Sequence, residues 1–167
     1  MEDSSMKNFQ IKKGDLALNS TRRVAMVRSK DKLIQDLTLF LLEPLGTGFT
    51  TPGYGSTLTL LETSEGGSRF IGRWTNEAFV AEIQGEVDRV LNLYQQSQIE
   101  KIRTASNRGE LNNFTKGEIL NSIDAIQAII GQEPGSVLVS AYITTGIGQN
   151  VSFILENNAT GTQIVTT

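Results

Sequence analysis

Neither cysteine nor histidine occurs in the 167 residues. The first absence excludes disulfides and thiolate chemistry. The second removes the usual general base near neutral pH, the commonest zinc ligand and the usual member of hydrolytic triads. Proline is scarce, at 3 residues, and tryptophan occurs once. No apolar run approaches the ~20 residues that span a bilayer, so no membrane span is expected. Basic charge is in short supply too: 15 Lys and Arg against 18 Asp and Glu leave a net charge of −3, with a pI near 5.0. That balance carries no footprint for nucleic acid. The opening residues MEDSSMKNFQIKKGDL are acidic and polar, without the basic-then-apolar order of a signal peptide. The expectation is a chain that stays in an aqueous compartment.

The composition that remains, 38% hydrophobic and 20% charged, suits one globular domain with extended arms. A chain of this size buries roughly 70% of its unfolded surface, enough for one modest core. The segment around which the rest is organised is Lys32–Leu61, KLIQDLTLFLLEPLGTGFTTPGYGSTLTLL. An apolar stretch at helical spacing leads into a hinge of glycines, threonines and prolines, and a second apolar run follows. Leu33, Ile34, Leu37, Phe40 and Leu41 make one wide apolar face. Leu39 and Leu42 extend it nearly all round, which predicts a helix buried on two sides. Ser29 is the expected N-cap and Pro44 the stop. The elbow Pro52-Gly53-Tyr54-Gly55-Ser56 is read as a rigid corner, with Tyr54 anchored in the core or at a subunit contact. Thr57–Thr63 fits either a short helix or a strand.

Upstream of that segment, residues 1–14 read as a flexible arm. Asp15–Asn19 and Arg23–Arg28 alternate like short strands around a turn at Asn19-Ser20-Thr21. Downstream, Thr75 is the expected N-cap of a long amphipathic helix running to about Ile102. Its stripe is Phe79, Ile83, Val87, Val90, Leu91 and Tyr94. Gly85 inside it weakens the helix by roughly 1 kcal/mol relative to Ala unless close packing requires it. Residues 104–117 read as a polar connection. Glu118–Ile130 fits a short helix by spacing and a strand by its β-branched content. Val137–Thr144 and Val151–Glu156 alternate and predict an antiparallel hairpin turning at Thr145–Asn150. The fold class that follows is α+β: a long amphipathic helix, a second apolar helix and a short antiparallel sheet, over residues 15–156 with a tail at 157–167.

The routes to chemistry are narrow. The glycine-containing loop at Tyr142–Asn150 lacks a lysine at phosphate-binding spacing and leads into a strand, so it offers no helix N-terminus to a phosphate. No cofactor is expected, and no Asp-x-Asp-x-Asn-Gly loop is present to hold calcium. Paired carboxylates remain a route to glycoside hydrolysis, with Glu43 beside Pro44 the carboxylate nearest apolar surroundings and Glu62 a candidate companion. Glu82, Glu86 and Asp88 fall on the polar side of the long helix, where charge serves solubility. Arg22, Arg23, Arg28, Lys30 and Lys32 cluster near the first helix and suit a solvated rim or an acidic partner. These residues favour a binding or structural protein, with a carboxylate-based lytic enzyme and a generic α+β adaptor as alternatives.

The order of features resembles the gene-25-like baseplate wedge proteins of contractile-tailed bacteriophages, also called sheath initiators. The likeness runs from about Asp15 to Leu155. Its most specific residues are Pro52, Gly53, Tyr54, Gly55, Ser56 and Leu58, which follow a Pro-x-[Tyr/Phe]-Gly-Ser/Cys-x-Leu run. The preceding Leu-Ile-Gln-Asp-Leu helix is similar in character. Where many members carry Glu-Pro-Arg at the end of the long helix, this chain reads Tyr94-Gln95-Gln96-Ser97-Gln98-Ile99. The resemblance implies a structural, non-enzymatic protein, present in several copies in a six-fold tail baseplate and assembled in the bacterial host cytoplasm. It also implies contacts to other wedge subunits and to the tail sheath, with tube or hub proteins as further candidates. Tyr94, Gln95 and Gln98 are then the expected partner contacts on the long helix. Val137, Val139, Val151 and Phe153 are those on the hairpin, where pairing of exposed strand edges would supply the attachment, and the polar, β-prone tail Gln163–Thr167 suits the same role.

Overall fold

The computed structural model describes residues 8–9, 11–12, 15–16, 26–47, 53–58, 76–110, 114–133, 135–158 and 161–166. Four two-residue strands come first: β1 (Asn8–Phe9), β2 (Ile11–Lys12), β3 (Asp15–Leu16) and β4 (Met26–Val27). β1 pairs antiparallel with β4, and β2 with β3. Residues of the expected arm are therefore strand partners. The two expected strands pair with them rather than with each other, and the turn expected at 19–21 lies outside the described residues.

Helix α1 (Ser29–Leu42) follows. Arg28, not Ser29, occupies its N-cap position, and no side chain caps it. Leu33, Leu37, Phe40 and Leu41 are buried as their spacing predicts. Leu39 is 44% exposed, so among the described residues its side of α1 is left uncovered, against the expectation of a helix buried on two sides. Helix α2 (Glu77–Asn107) starts one residue later than expected, because the Asn76 side chain accepts the Phe79 N–H at 2.8 Å. An asparagine is as good a cap as a threonine. It also runs into the stretch read as a polar connection, since Thr104–Asn107 contains neither glycine nor proline and Gly109 supplies the left-handed turn that ends it.

A 3₁₀ turn (Lys116–Glu118) then leads into β5 (Leu120–Ile130), β6 (Val137–Thr145), β7 (Asn150–Asn158) and β8 (Gly161–Thr166). The four form one antiparallel meander in the order β5-β6-β7-β8. Of the two readings open for residues 118–130, strand wins. The helical one fails because Ile123, Ile126 and Ala128 lie opposite Ile143, Ala141 and Val139, where the pleat points them at the helices. An irregularity at Ile123/Ala125 shifts the register by a residue. This explains how a strand can show apolar residues three apart. The predicted hairpin is β6–β7, with Val139 opposite Leu155 and Ala141 opposite Phe153.

The result is a small α+β domain of two layers. Both helices cover one face of the sheet, α2 along β5 and β6, α1 near β8 and the 3₁₀ turn. The core between the layers combines Leu33, Leu37, Leu41, Phe79, Ile83 and Leu91 with the inward residues of β6 and β7. Burial of each large apolar side chain contributes roughly 1.5–3 kcal/mol.

The elbow closes this core from the side. Glu43 donates back to Leu39 O and ends α1. The Ser56 N–H donates to Glu43 O, and the Leu45 N–H donates to Ser56 O, each at 2.8 Å. Leu58 thereby enters the core fully buried. The geometry requires glycine at 55: φ is +92°, and a Cβ there would lie 2.5 Å from Glu43 O and 2.9 Å from Pro44 O. Both obstacles are main chain and cannot rotate away. Gly55→Val should therefore destabilise the domain by about 2–4 kcal/mol, adding backbone strain to overpacking. A denaturation midpoint equal to that of the parent protein would show the corner to be less tightly closed than its contacts imply.

Candidate interaction surface

The elbow is fastened to α2 at two places eight residues apart. The Glu86 carboxylate accepts the Thr57 N–H at 2.7 Å through Oε1 and holds Arg89 through Nε–Oε2 at 2.7 Å and Nη2–Oε1 at 2.8 Å. Arg89 Nη2 also donates to Gly55 O at 3.0 Å. Further along, the Tyr54 hydroxyl is hydrogen-bonded to Ser97 Oγ. The Tyr54 ring meets Phe40 edge to face at 4.6 Å, and Phe40 meets Tyr94 at 5.5 Å. The anchoring predicted for Tyr54 is thus within the domain, on α2 and α1. Of the remaining motif, Ser56 and Leu58 are buried and Gly53 is exposed, while Pro52 lies outside the described residues. Glu86, expected to be a solubilising charge, has a side chain only 11% exposed, and it organises the corner. Opposite charges at Glu86 and Arg89, one turn apart, are the signal of this pair in the sequence.

A second polar junction ties α1, α2 and the 3₁₀ turn together. Lys32 Nζ bonds Asp36 Oδ2 at 2.9 Å and lies 3.9 Å from Glu118 Oε2. Glu118 is almost fully buried and accepts the Thr115 N–H. Gln98 accepts the Leu120 N–H at 2.9 Å and donates to Glu118 O at 2.8 Å and to the Tyr94 hydroxyl. Burial, followed by the nearby Asp36 and Glu118 carboxylates, pushes the Tyr94 hydroxyl well above the usual tyrosine range. Tyr94 is therefore held in its neutral form, as a hydrogen-bonding group.

These placements correct the expected partner residues. Gln98 is buried and spent on main chain. Tyr94 is half-buried against Phe40. Gln95 donates to Leu120 O at 3.2 Å and Asn121 O at 2.7 Å. Val137, Val139, Val151 and Phe153 are core residues with at most 7% exposure, on strands paired on both sides. Alternation is not availability: the apolar set of such a strand faces the core, and interior strands have no free edge. Glu43 contributes its main chain to the elbow, and Glu62 lies outside the described residues. Among the described residues, Asp36 and Glu118 are carboxylates that share Lys32, with Glu118 enclosed. Among the described residues no group of acidic side chains is placed to hold a metal ion.

What the fold leaves open is the margin of the sheet, and its two edges differ. On β5, Gln84 donates to Ile126 O at 3.0 Å and Gln95 to Leu120 O and Asn121 O, so α2 lies against that edge. On β8, residues Thr162–Thr166 pair with β7 from Asn157 to Phe153, and no described strand pairs on the other side. Thr162 Oγ1 donates to Leu58 O at 3.2 Å, linking this open edge to the far end of the elbow. No helix among the described residues is long and apolar enough to cross a membrane.

No family model matches the chain, and no curated protein or solved structure matches it either.

The Glu86 anchor predicts a pH dependence. Desolvation raises its pKa, but the hydrogen bonds from Arg89 and Thr57 outweigh that and leave it below the ordinary value of 4.5. The unfolded chain then binds more protons than the folded one between the two values. Stability from this group is present above pH 4.5 and is lost as pH falls through the lowered folded pKa. Glu86→Gln should lower stability at pH 7 and flatten the acid limb of a stability–pH curve. Parallel acid limbs in the two proteins would show that the anchor does not govern acid stability.

Proposed function

We propose that this chain is a structural component of a contractile-tail baseplate, binding wedge subunits and initiating or anchoring the tail sheath by strand pairing. The observation that carries the reading is the outer edge of β8, on which no described strand pairs, in a domain whose β5 edge receives hydrogen bonds from its own helix. A strand edge with free N–H and C=O groups accepts an incoming strand through main-chain hydrogen bonds, the mode used in β-augmentation. The reading is supported by the sequence order of apolar helix, Pro-Gly-Tyr-Gly-Ser elbow, long helix and closing strands. The way Gly55 O and the Tyr54 hydroxyl bind the elbow to α2 supports it as well. On this proposal attachment moves from the strand edges of the β6–β7 hairpin to the outer edge of β8, which holds the β-prone stretch of the tail. Wedge subunits, and tube or hub proteins, would contact the exposed helix surfaces, and several copies would ring a six-fold baseplate in the virion. The role is structural, without turnover.

Single prolines along β8 test it. Antiparallel ladders alternate, so successive N–H groups point to opposite sides of the strand. A proline whose missing N–H faced β7 should cost stability, while one at the alternate position should fold normally and fail to recruit the sheath subunit. With Thr162, Gln163, Ile164 and Val165 each changed to Pro, co-expression with wedge and sheath subunits should separate the variants into two classes by parity. Loss of no complex by any folded variant, or no stable complex with the parent chain, would sink the proposal.

A further inference from the structure

The opposite edge of the sheet carries a feature that does not depend on strand pairing at β8. Between the first half of α2 and β5 runs a groove formed by two adjoining depressions of about 430 and 480 Å³, which share Ala81 and Gln84 in their walls. Its floor on the strand side includes Ile123, Ile126 and Ala128, and Ile129 and Ile130 at its end are 61% and 51% exposed. On the helix side Glu77, Ala81 and Gly85 follow one another at four-residue spacing, a row of the kind into which the ridge of another helix packs.

Gly85 is the residue for which the described part of the domain has no use. A Cβ built there meets nothing within 4 Å, so no packing among the described residues requires glycine, although glycine costs a helix interior about 1 kcal/mol. The charge of the groove has one sign. Glu77 and Asp88 stand toward its two ends, and among the described residues no lysine or arginine lines either depression. The backbone of β5 gives the third constraint. Ile126 O at the centre of the groove already accepts from Gln84, and the carbonyls of Leu120 and Asn121 accept from Gln95. At the centre of the groove an occupant would find the Ile126 carbonyl already bonded, which favours recognition by side chains.

We propose that this groove docks an amphipathic helix of a partner protein whose apolar stripe is flanked by lysines or arginines. From Glu77 to Asp88 the helix wall is roughly 17 Å long at 1.5 Å per residue, which matches about three turns of the occupant. The smallness of Ala81 and Gly85 lets the two helix backbones approach. Ile129 and Ile130 cover the apolar stripe, and Glu77 and Asp88 meet the basic flanks, setting orientation and partner choice more than affinity.

The test uses the full chain, isotope-labelled, with two synthetic helical peptides of about three to four turns. The peptides share one leucine/alanine stripe and differ only in flanking Lys/Arg or Glu. The basic peptide should bind about tenfold or more tightly than the acidic one at low salt, with the gap shrinking as salt screens the charges. Its amide-shift changes should centre on Ala81, Gly85, Ile126 and Ile129. Gly85→Leu should fold normally and weaken binding about tenfold, since its side chain fills the groove. Gly85→Ala should raise Tm by about 2–4 °C; a lower Tm would mean that the domain uses the glycine itself and would overturn the proposal. Equal affinity for the two peptides, binding of neither, or shift changes confined to β8 would each reject it. So would dimerisation of the parent chain that Gly85→Leu abolishes, because the occupant would then be a second copy. Peptide binding read at the α2–β5 groove can fail while sheath recruitment at β8 succeeds, and the reverse.

Discussion

The hydrogen bonds that close the chain onto itself between Glu43–Leu45 and Ser56 constrain everything that follows. They form only because residue 55 has no side chain, so a single absent Cβ lets the end of α1 and the returning arm of the elbow lie side by side. Once they are made, Leu58 is carried into the core, and its carbonyl reaches Thr162 on β8. Glu86 and Arg89 then fix the same corner to α2. The elbow is thus the point at which α1, α2 and the last strand acquire their relation to one another.

Much of this is legible in the sequence, for physical reasons that differ between elements. The stripe of α2 can be read because 31 residues of helix repeat their period many times, which averages out any single misfit. The hairpin of β6 and β7 can be read because strict alternation between two turn-rich segments fits a strand and little else. β5 cannot be decided, because its irregularity between Ile123 and Ala125 breaks the two-residue period and imitates a helical one. The corner at Gly55 is visible as a corner, but its fastening is not. Glu86 looks like any charge on a polar helix face until the fold brings the Thr57 N–H to it.

The expected interaction residues show a sharper limit. Sequence alternation identifies which side chains are apolar, and in a two-layer domain those are the ones the domain keeps for itself. Val137, Val139, Val151 and Phe153 stand out for being apolar and are buried for the same reason. Availability to a partner depends instead on strand order, since only an outermost strand has unpaired main chain. Strand order is a property of the whole sheet, and no local window contains it. Gln95 and Gln98 show the same limit on the helix: amides that look free for a partner are needed to satisfy main chain at the start of β5.

The same logic of self-use extends to the carboxylates. An enzyme working through paired acids needs one of them ionised and one protonated, both reachable by substrate. Here the two acids that the fold treats most specifically serve its own backbone, Glu86 receiving the Thr57 N–H and Glu118 the Thr115 N–H. Each also has a cation beside it, Arg89 for Glu86 and Lys32 for Glu118. At Glu86 the hydrogen bonds from Arg89 and Thr57 keep the carboxyl below its ordinary pKa and hold it in one orientation. Both carboxylates, by their contacts to backbone, suit a structural pin. Glu86 holds the corner that carries Leu58 to β8, and Glu118 holds the turn from which β5 departs, though the sequence presents both as ordinary polar residues.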